Sequence, residues 1–540
     1  MVGVGASAGG LEAFSAFLKH LPSDSGMAFV LIQHLDPKQR SGLTELLSRA
    51  TKMPVLEVKA TIPIEPNHVY VMAPAVVLSM SDGHIRAEER GGGRNLPIDY
   101  FLSSLARDNT SKAIGIVLSG TASDGTLGLR AVKAEGGITF AQEPSSAKFD
   151  GMPRSAIAAG VVDFVLPPEE IAKRLVRFAQ HPAYGSVKAE ETGEAAQETE
   201  TALNRIFHVL RTVTGNDFTH YKHMTIRRRI HRRMVLHASE KLSDYVAYLQ
   251  ENLAEARALA DDLLICVTAF FREPKYFEVL AASVFPAILK NRLPEASIRV
   301  WISGCATGEE AYSVAICLTE FLERAGANAP LQIFASDISE SAIEKARAGI
   351  YPAAALAEVS PARLKRFFVK APGGYQIAKF IRESCIFAKQ NITRDPPFHN
   401  LDLITCCNVL IYFGPVLQRK ALATFHYALK PGGFLMLGPS ESVGPLSHAF
   451  TALDKKLRIY SKQPGSAPLN VPYLAAEPLA AAPPGTAGGV VRAALDVQKT
   501  AERILLAQYA PASVIVDDGM NIVHVRGETA AYLQVASGEP

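Results

Sequence analysis

Three polar side chains in the first quarter of the chain have the types and positions needed for nucleophilic chemistry. Ser7 lies in the glycine-rich stretch Gly5–Gly10, which is typical of a tight turn between a strand and a helix. His34 and Asp124 each come just after a short apolar run that indicates a strand. Because the strands of a parallel sheet end at one edge, the three side chains are expected to converge there. They could then act as nucleophile, base and orienting acid in ester hydrolysis.

The glycine-rich turn also has a less specific interpretation. Such turns often cradle a phosphate or serve only for packing. In the catalytic interpretation, the helix expected to begin near Ala8 offers backbone N–H groups and its positive dipole end to an oxyanion. The order serine, histidine, aspartate along the chain differs from the order in α/β-hydrolases, where the acid comes before the histidine. An ordinary lipase or esterase is therefore not indicated.

A second glycine-rich turn, Gly304–Gly308, follows the predicted strand Ile298–Ile302 and opens a helix. A turn of this kind lets a nucleotide-like ligand approach the backbone closely. Glu309 at the start of the helix disfavours a pyrophosphate and suits a neutral or cationic ligand. Asp337 ends the next predicted strand, where a carboxylate can accept from both hydroxyls of a ribose. These features favour an adenosyl compound, and the sulfonium and amino groups of S-adenosylmethionine fit the acidic lining.

Composition limits the other classes of function. The chain has 540 residues, a formal net charge of +3 and six cysteines. The small net charge gives no reason to expect nucleic-acid binding. The cysteines have no Cys-x-x-Cys spacing and no histidine at ligand spacing, so neither a metal site nor a disulfide framework is predicted. No apolar run reaches the length of a membrane span and no signal peptide is recognised, which favours a cytoplasmic protein without direct membrane insertion.

Alternating apolar strands and amphipathic helices predict an α/β fold class for most of the chain. Two doubly wound α/β domains are expected, the second preceded by a helical subdomain. Residues 513–525 predict a β-hairpin, and because one hairpin cannot bury a core, the chain is expected to end inside a third domain. The predicted segments are 1–182 for the first domain, 183–199 for a linker, 200–290 for the helical subdomain, 291–462 for the second α/β domain, 463–492 for a second linker and 493–540 for the incomplete third domain.

The motifs around Ser7, His34 and Asp124, taken in this order, resemble the catalytic domain of the chemotaxis protein-glutamate methylesterases, the CheB family. The resemblance covers about residues 1–180. It implies that the three residues form a catalytic triad and that the substrate is a glutamate methyl ester on a chemoreceptor. Thr121 is a departure from the family, whose members often have a methionine there near the oxyanion. This departure bears on the rate more than on the mechanism.

Five further motifs occur in the second half of the chain, namely Val267–Glu273, Asn391–Ile392, Cys406–Phe413, Lys430–Gly433 and Gly438–Ser442. Together with the second glycine-rich turn they resemble the chemotaxis receptor-glutamate methyltransferases, the CheR family, over about residues 201–462. The resemblance implies that S-adenosylmethionine is the cofactor and that about residues 351–389 form a small β-subdomain. Two departures are Cys266 and Cys407, where relatives have asparagine and arginine.

The second resemblance also implies roles for individual side chains. Arg272 and Tyr412 are expected beside the transferred methyl group as catalytic residues, and an arginine there can hold the substrate carboxylate in line with the sulfonium. The residues implied to line the cofactor pocket are Thr268, Arg272, Glu309, Asp337, Asn391, Ile392, Cys406 and Cys407.

A basic run precedes these motifs and has two interpretations. Ile226, Ile230 and Met234 recur at helical spacing and predict one apolar face. The polar side is either a solvated helix face or, as the resemblance favours, a docking surface for the acidic methylation region of a receptor. Nucleic acid is disfavoured because no aromatic platform accompanies the run. The arginines on this side are Arg227, Arg228, Arg229, Arg232 and Arg233.

The last part of the chain resembles the opening of a PAS sensory domain, an α+β fold, through residues 509–516, Gly527 and Tyr532–Leu533. Taken together, the resemblances imply a multifunctional signal-transduction enzyme that adds methyl groups to receptor glutamates and removes them. A chemoreceptor or related coiled-coil receptor is the expected partner, and other two-component signalling proteins are a second class of partner. The alternative is a signalling scaffold that binds receptors through these domains with one activity or with none.

Overall fold

The computed structural model describes most of the chain in two compact units. The described residues up to 463 belong to the first unit, and two short strands near the C-terminal end belong to the second. The described ranges are 1–34, 42–89, 96–109, 112–181, 194–264, 268–290, 296–356, 358–463, 513–516 and 522–526.

Strands buried on both faces form the centre of the first domain, as expected for a parallel sheet covered by helices. The strands are β1 Val2–Ala6, β2 Phe29–Gln33, β3 Val55–Val58, β4 Ile62–Pro63, β5 Val69–Met72, β6 Val76–Ser81, β7 His84–Glu89, β8 Ile114–Val117, β9 Ile138–Gln142 and β10 Phe164–Leu166. The helices are α1 Gly10–Lys19, α2 Leu43–Ser48, α3 Pro97–Asn109, α4 Thr126–Ala134, α5 Gly151–Ala158 and α6 Pro168–Ala179.

Seven of these strands form one parallel sheet in the order β10-β9-β8-β1-β2-β5-β3. This confirms the doubly wound α/β fold of the first domain. The strands β4, β7 and β6 form a separate antiparallel sheet that the sequence patterns did not predict. The strands β2, β1 and β8 are neighbours, so the segments that follow them meet at one edge.

A helical subdomain follows, with α7 Glu194–Thr214, α8 His223–Leu236, α9 Leu242–Glu251 and α10 Leu253–Leu263. The predicted linker 183–199 is wrong in its last part, because α7 already begins at Glu194. Glutamate and alanine, which suggested a solvated linker, are also strong helix formers. In the described part of the chain, no helix combines the length and the apolar character needed to cross a membrane.

The second α/β domain has a sheet in the order β16-β12-β11-β17-β18-β20-β19, in which the last two pairings are antiparallel and the others parallel. Its strands are β11 Ile298–Ser303, β12 Leu331–Asp337, β13 Ile350–Tyr351, β14 Phe368–Ala371, β15 Gly374–Ile377, β16 Cys385–Lys389, β17 Leu401–Cys406, β18 Leu429–Leu437, β19 Phe450–Asp454 and β20 Ile459–Lys462. Its helices, with the two that lead into it, are α11 Pro274–Val279, α12 Phe285–Lys290, α13 Glu309–Arg324, α14 Glu340–Ala348, α15 Pro361–Phe367, α16 Lys379–Glu383 and α17 Pro415–Ala428.

The small β-subdomain is present but shorter than predicted. The strands β13, β15 and β14 form an antiparallel sheet. The last part of the predicted insertion, β16, instead pairs in parallel with β12 as the edge strand of the main sheet. Near the C-terminal end, β21 Ser513–Val516 and β22 Ile522–Arg526 pair antiparallel, which confirms the hairpin strands. The hairpin turn, most of the second predicted linker, and Gly527 and Tyr532–Leu533 lie outside the described residues.

The basic run of α8 packs against the first domain. Arg229 donates to the carbonyl of Lys133 at 2.6 Å and to the carbonyl of Ala134, so it caps the C-terminal end of α4. Arg228 lies 3.7 Å from Glu135, just beyond the same helix end. A cation in this position is stabilised by the negative end of the helix dipole. The C-terminal end of α4 is therefore held by α8.

Arg232 forms the most deeply buried part of this packing. Its Nε donates to the carbonyl of Gly137 at 2.9 Å, and its terminal nitrogens bind the carboxylates of Asp163 and Asp262. Only 1% of the Arg232 side chain is exposed. Burial is the largest single influence on Asp163 and opposes its ionisation, but the Arg232 and Lys133 cations and the hydrogen bonds to Arg232 and Thr139 together outweigh it and lower the pKa of that carboxyl. Removing one partner of a buried pair typically costs about 3–5 kcal/mol.

These bonds, from Arg228, Arg229 and Arg232 of α8 to residues 133–137 and Asp163, form the interdomain contact. The prediction that the basic run is a solvated face or a receptor-docking surface is wrong for Arg229 and Arg232, because the first domain covers both. The apolar face was predicted correctly. The periodicity of one helix places its apolar positions but does not show that another domain covers its polar side. The buried apolar positions are Ile226, Ile230 and Met234.

Candidate active sites

Ser7 lies between the end of β1 and the start of α1, as the glycine-rich stretch predicted. Its N–H donates to the carbonyl of Ser119 at 2.9 Å, and its carbonyl accepts from the N–H of Gly10 at the same distance. Gly9 has a φ of +73°, and a Cβ there would lie 2.7 Å from Ser119 Oγ, so only glycine fits. The helix begins at Gly10, two residues after Ala8. Among the described residues, the N–H groups of Ala8 and Gly9 have no acceptor, which leaves them available to an oxyanion.

His34 and Asp124 form a hydrogen-bonded pair at the same edge. Ala6 pairs with Gln33 across β1 and β2, so Ser7 and His34 are the next residues on neighbouring strands. The Nε2 atom of His34 lies 2.6 Å from Oδ2 of Asp124, and the ring nitrogen must be the donor if the carboxylate is ionised. The other ring nitrogen, Nδ1, is then the one that can accept a proton.

Asp124 is held rigidly because it also caps a helix. Its carboxylate accepts from the backbone N–H groups of Ile98 at 3.1 Å and Asp99 at 2.9 Å, in the first turn of α3. The Asp124 side chain is buried, whereas 31% of the His34 side chain is exposed. Within the described residues no hydrogen bond joins Ser7 to His34. The structure therefore brings His34 and Asp124 into contact and places Ser7 at the end of the neighbouring strand.

Asp99 is a second buried carboxylate behind Asp124. Its Oδ1 accepts from the N–H of Gly128 at 2.6 Å, whereas Oδ2 has no hydrogen-bond partner in the described part of the chain. Burial, together with the charge of Asp124, raises the pKa of Asp99 to about 7. Asp99 is therefore expected to take up a proton near neutral pH.

We expect Asp99→Asn to stabilise the protein increasingly as the pH rises. An acid whose pKa is higher in the folded state contributes most to stability at low pH, and this contribution is lost as the pH rises through about 7. As the pH rises toward that pKa, the free energy of unfolding of the wild type should decrease relative to that of the variant by about 1.4 kcal/mol per pH unit. Denaturant unfolding between about pH 5 and pH 8 measures the difference, with exposed Asp24→Asn as the control. A constant difference between wild type and Asp99→Asn would contradict the raised pKa.

The second site is a cavity of about 820 Å³ at the carboxyl edge of the second sheet. It is bordered by the turn after β11, the end of β12 and the segments after β16 and β17. This is the edge at which open α/β sheets bind their ligands. The predicted residues that line it are Thr268, Arg272, Asp337, Asn391, Ile392, Cys407 and Tyr412.

Two predicted lining residues lie elsewhere. Glu309 lines a different cavity, and its carboxylate accepts from the hydroxyl of Thr307 at 2.7 Å. Its neighbour Glu310 instead lines the cavity at the edge of the second sheet, and its carboxylate accepts from Thr405 Oγ1 at 2.5 Å. Cys406 is completely buried in the core, because side chains alternate between the two faces along β17. Both predictions are therefore wrong by one position, with Glu310 and Cys407 at the cavity.

A strained turn presents Arg272 to the cavity. The residues on either side, Phe271 and Glu273, have φ values of +50° and +59°, which are uncommon for side chains of this size. The N–H of Phe271 donates to Ser313 Oγ at 3.0 Å, and the guanidinium of Arg363 lies 4.2 Å from the Phe271 ring centre. Strain of this kind persists only where surrounding contacts fix it. Arg272 is therefore placed by a turn that the fold holds in one conformation.

A buried carboxylate fixes the loop that carries Tyr412. Glu441 accepts from the backbone N–H groups of Gly438 at 2.7 Å, Asn408 at 3.0 Å and Ile411 at 3.2 Å. Burial raises the pKa of Glu441, although these hydrogen bonds oppose the rise. The motif Gly438–Ser442 thus positions the motif Cys406–Phe413 through one side chain.

We expect Glu441→Gln to slow methyl transfer about tenfold, because an amide nitrogen would face backbone N–H donors and move the Tyr412 loop. An unpaired buried donor costs about 1–3 kcal/mol, so Tm should also fall by several degrees. Single-turnover rates and thermal unfolding measure the two effects, with the exposed neighbour Ser442→Ala as the control. A wild-type rate in the destabilised variant would show that the loop does not depend on Glu441.

The residues that line the cavity of the second domain fit S-adenosylmethionine, and this cavity is called the methyl-donor cavity below. The Oε1 atom of Gln390 is buried at the cavity wall with no hydrogen-bond partner in the described part of the chain, so an acceptor is available for a ligand amino group. Gly304 has a φ of +75°, and a Cβ there would lie 2.3 Å from Val409. Asp337 and Glu310 supply carboxylates, and burial raises the pKa of both. An adenosyl group with a sulfonium would find acceptors and negative charge here.

Residues from the first domain also line this cavity, and the sequence patterns did not predict them. They lie in α3 and at the C-terminal end of α4, both helices of the first domain, so motif analysis of the second domain cannot detect them. They are Ser103, Ala106, Arg107, Ala131, Ala134 and Glu135.

Comparisons with known proteins assign each part of the chain. The family described as "CheB methylesterase" matches residues 2–175. The family described as "CheR methyltransferase, all-alpha domain" matches residues 201–264, and "CheR methyltransferase, SAM binding domain" matches residues 266–459. These three ranges correspond to the first domain, the helical subdomain and the second α/β domain described above.

Individual relatives agree with these assignments. The chain is 37% identical over 517 residues to an uncharacterized 104.1 kDa protein of Rhodobacter capsulatus, which covers 92% of this chain and 54% of that protein. The chain thus spans about half the length of that relative. It is 33% identical over 258 residues to chemotaxis protein methyltransferase 2 of Vibrio cholerae, covering 47% of this chain and 89% of that protein.

A solved structure, the catalytic domain of the Thermotoga maritima CheB methylesterase, is similar to part of the chain, with 28% identity and a TM-score of 0.31 over 32% of this chain and 96% of that one. The family matches and the Vibrio relative cover both halves of the described chain. This chain therefore belongs to the CheR family of chemotaxis protein methyltransferases and carries a CheB methylesterase domain ahead of its methyltransferase domains.

Proposed function

We propose that this chain modifies the glutamates of a chemoreceptor or related coiled-coil receptor in both directions. Its methylesterase domain hydrolyses glutamate methyl esters, and its methyltransferase domain forms them with S-adenosylmethionine. The observation that carries the proposal is the presence of two separate equipped sites. One has the His34–Asp124 pair beside Ser7, and the other has Arg272, Tyr412 and Asp337 around one cavity.

The ester-hydrolysing role follows from what each side chain can do. His34, oriented by Asp124 through Nε2, accepts the proton of the Ser7 hydroxyl at Nδ1 as that oxygen attacks the ester carbonyl. The N–H groups of Ala8 and Gly9, which have no acceptor among the described residues, would donate to the developing oxyanion. The protonated histidine then gives its proton to the departing methanol, and water releases the glutamate from Ser7 in the same way.

The methyl-forming role requires positioning more than acid–base chemistry. S-adenosylmethionine, when bound, supplies a methyl group on a positively charged sulfur. Asp337 and Gln390 would hold its adenosyl part, and the carboxylate of Glu310 would lie at its charged end. Arg272 binds the glutamate carboxylate and Tyr412 orients it, so that one carboxylate oxygen faces the methyl group. The surrounding apolar wall excludes water from this encounter.

The proposal is tested by two assays on the full chain. Methanol release is measured from a methylated receptor fragment, and methyl incorporation is measured from labelled S-adenosylmethionine into an unmethylated fragment. We expect both activities. A chain that binds S-adenosylmethionine and receptor but shows neither activity would be a scaffold, and the proposed function would be wrong.

A further inference from the structure

The methylesterase domain closes one side of the methyl-donor cavity. The lining includes Ala106 and Arg107 from α3, and Ala131, Ala134 and Glu135 from the C-terminal end of α4. The cavity of about 820 Å³ is thus lined by residues of both domains. A methyltransferase acting on a large protein needs an open mouth on at least one side, so the position of this wall is informative.

The wall lies beside the residues that handle the methyl acceptor. Tyr412 and Arg272 line the same cavity as Glu135. Burial raises the pKa of Tyr412, and the charges of Arg229 and Glu135 also act on its hydroxyl. The Tyr412 carbonyl accepts from the N–H of Lys222, directly before α8. The interdomain contact is therefore next to the place where the acceptor carboxylate must arrive.

A helical acceptor is too wide to enter a cavity of this size. Cavities of roughly 300–1,000 Å³ hold small ligands, and the observed volume lies in this range. An α-helix with its side chains is about 10–12 Å wide, and the glutamate side chain reaches only a few ångströms from it. The helices α3 and α4 of the first domain would have to move away from the cavity before a receptor helix could bring a glutamate to Arg272.

We propose that the observed packing is a closed state, in which the interdomain contact keeps the protein acceptor away from the methyl-donor cavity. The inference rests on the proposed function, because it concerns access to that site. Separation of the two domains uncovers the cavity mouth and the arginines of α8 at the same time. These arginines then present positive charge to an acidic acceptor. The same movement therefore opens the cavity and exposes a surface that attracts the acceptor.

Opening should leave the esterase site intact. Asp124 lies at the N-terminal end of α4, whereas the interdomain contact holds its C-terminal end, nine residues away along the helix. That distance is about 14 Å at the rise of an α-helix. Methanol release therefore serves as a measure of correct folding in variants that open the contact.

The test uses the full chain and a pair of neighbouring arginines. Arg232→Gln removes the buried bonds to Asp163 and Gly137 that cross between the domains. Arg233→Gln is the matched control, because Arg233 on the same helix pairs with Glu255 inside the helical subdomain. The radius of gyration is measured by small-angle scattering, S-adenosylmethionine affinity by calorimetry, and kcat/KM with a receptor fragment.

We expect Arg232→Gln to increase the radius of gyration and to raise kcat/KM for the receptor fragment at least fivefold. Its affinity for S-adenosylmethionine should stay within about twofold, since the cofactor residues all belong to the methyltransferase domains. Arg233→Gln should change neither the size nor the acceptor rate in this way. An opened Arg232→Gln variant with an unchanged or lower kcat/KM would overturn the closed-state proposal, and so would a variant that stays closed.

A second variant covers the case in which Arg232→Gln does not fold. Arg228→Glu places a carboxylate beside Glu135 at a partly exposed position, so it repels the end of α4 without emptying the core. It should open the contact and raise the acceptor rate, and adding Glu135→Arg should restore closure. Loss of acceptor rate in Arg228→Glu would instead support a docking role for the arginine. If no version methylates any fragment although the cofactor binds, the proposed function itself fails.

Discussion

Ser7→Ala should reduce methanol release from a methylated receptor fragment by on the order of 10⁴-fold or more while methyl transfer continues. In the proposed mechanism the Ser7 hydroxyl oxygen attacks the ester, and the pairing of β1 with β2 places Ser7 and His34 at neighbouring strand ends. The methyl-donor cavity lies beyond the far end of α4, so the loss of one hydroxyl should not reach it. Methanol is measured by gas chromatography of the headspace.

The control for this variant is Ser48→Ala, an exposed serine in α2. Ser7→Ala should unfold at the wild-type Tm, because the Ser7 hydroxyl makes no hydrogen bond within the described residues. Ser48→Ala should change Tm little, because the Ser48 hydroxyl donates to the Thr44 carbonyl at an exposed position. Equal loss of both activities in a folded Ser7→Ala protein would contradict two independent sites. Retained methanol release would show that another group is the nucleophile.

Asp337→Ala should weaken S-adenosylmethionine binding by about 10- to 100-fold. The carboxylate accepts from the N–H groups of Ala306 at 2.9 Å and Ser339 at 2.8 Å, so it shapes the glycine-rich turn as well as facing the cavity. Hydrogen bonds to a charged group contribute about 1.5–3 kcal/mol, and the ribose contacts are lost together with the turn. Isothermal calorimetry on the full chain measures the change.

Two further variants separate the loss of the ribose contacts from the change in the glycine-rich turn. Glu340→Ala removes an exposed carboxylate only three residues away, which pairs with Lys389 at 2.8 Å, and should leave the affinity unchanged. Asp337→Asn keeps one oxygen that can accept from a backbone N–H. Its affinity for S-adenosylmethionine should therefore lie between those of wild type and Asp337→Ala. Unchanged affinity in Asp337→Ala would remove this residue from the cofactor site.

The sequence predicted the ends of strands better than the contacts between domains. Ser7, His34 and Asp124 were predicted to converge because each follows an apolar strand, and parallel strands end at one edge. Asp337 and Asn391 were predicted for the same reason in the second domain, and both line its cavity. A resemblance identifies a segment, however, and does not decide which of two adjacent side chains faces the ligand. Glu310 in place of Glu309 shows this limit.

The basic helix shows a different limit. The arginines of α8 have the composition of a solvated or docking face. Arg229 and Arg232 become a buried contact only because the end of α4, Gly137 and Asp163 of the first domain pack against them. Carbonyl groups at a helix end and a carboxylate such as Asp163 have no sequence pattern that pairs them with a distant arginine. The wall formed by Glu135 at the methyl-donor cavity could not be predicted for the same reason.

The most direct test of the account follows one methyl group through the full chain. Receptor fragment is incubated with the chain and S-adenosylmethionine labelled in its methyl group, and mass spectrometry locates the ester while released methanol is counted. We predict that the wild type transfers label to receptor glutamates and then releases it as methanol. Ser7→Ala should accumulate the same glutamate esters and release almost no labelled methanol. Labelled methanol appearing equally fast with Ser7→Ala, or no labelled glutamate with either protein, would contradict the account.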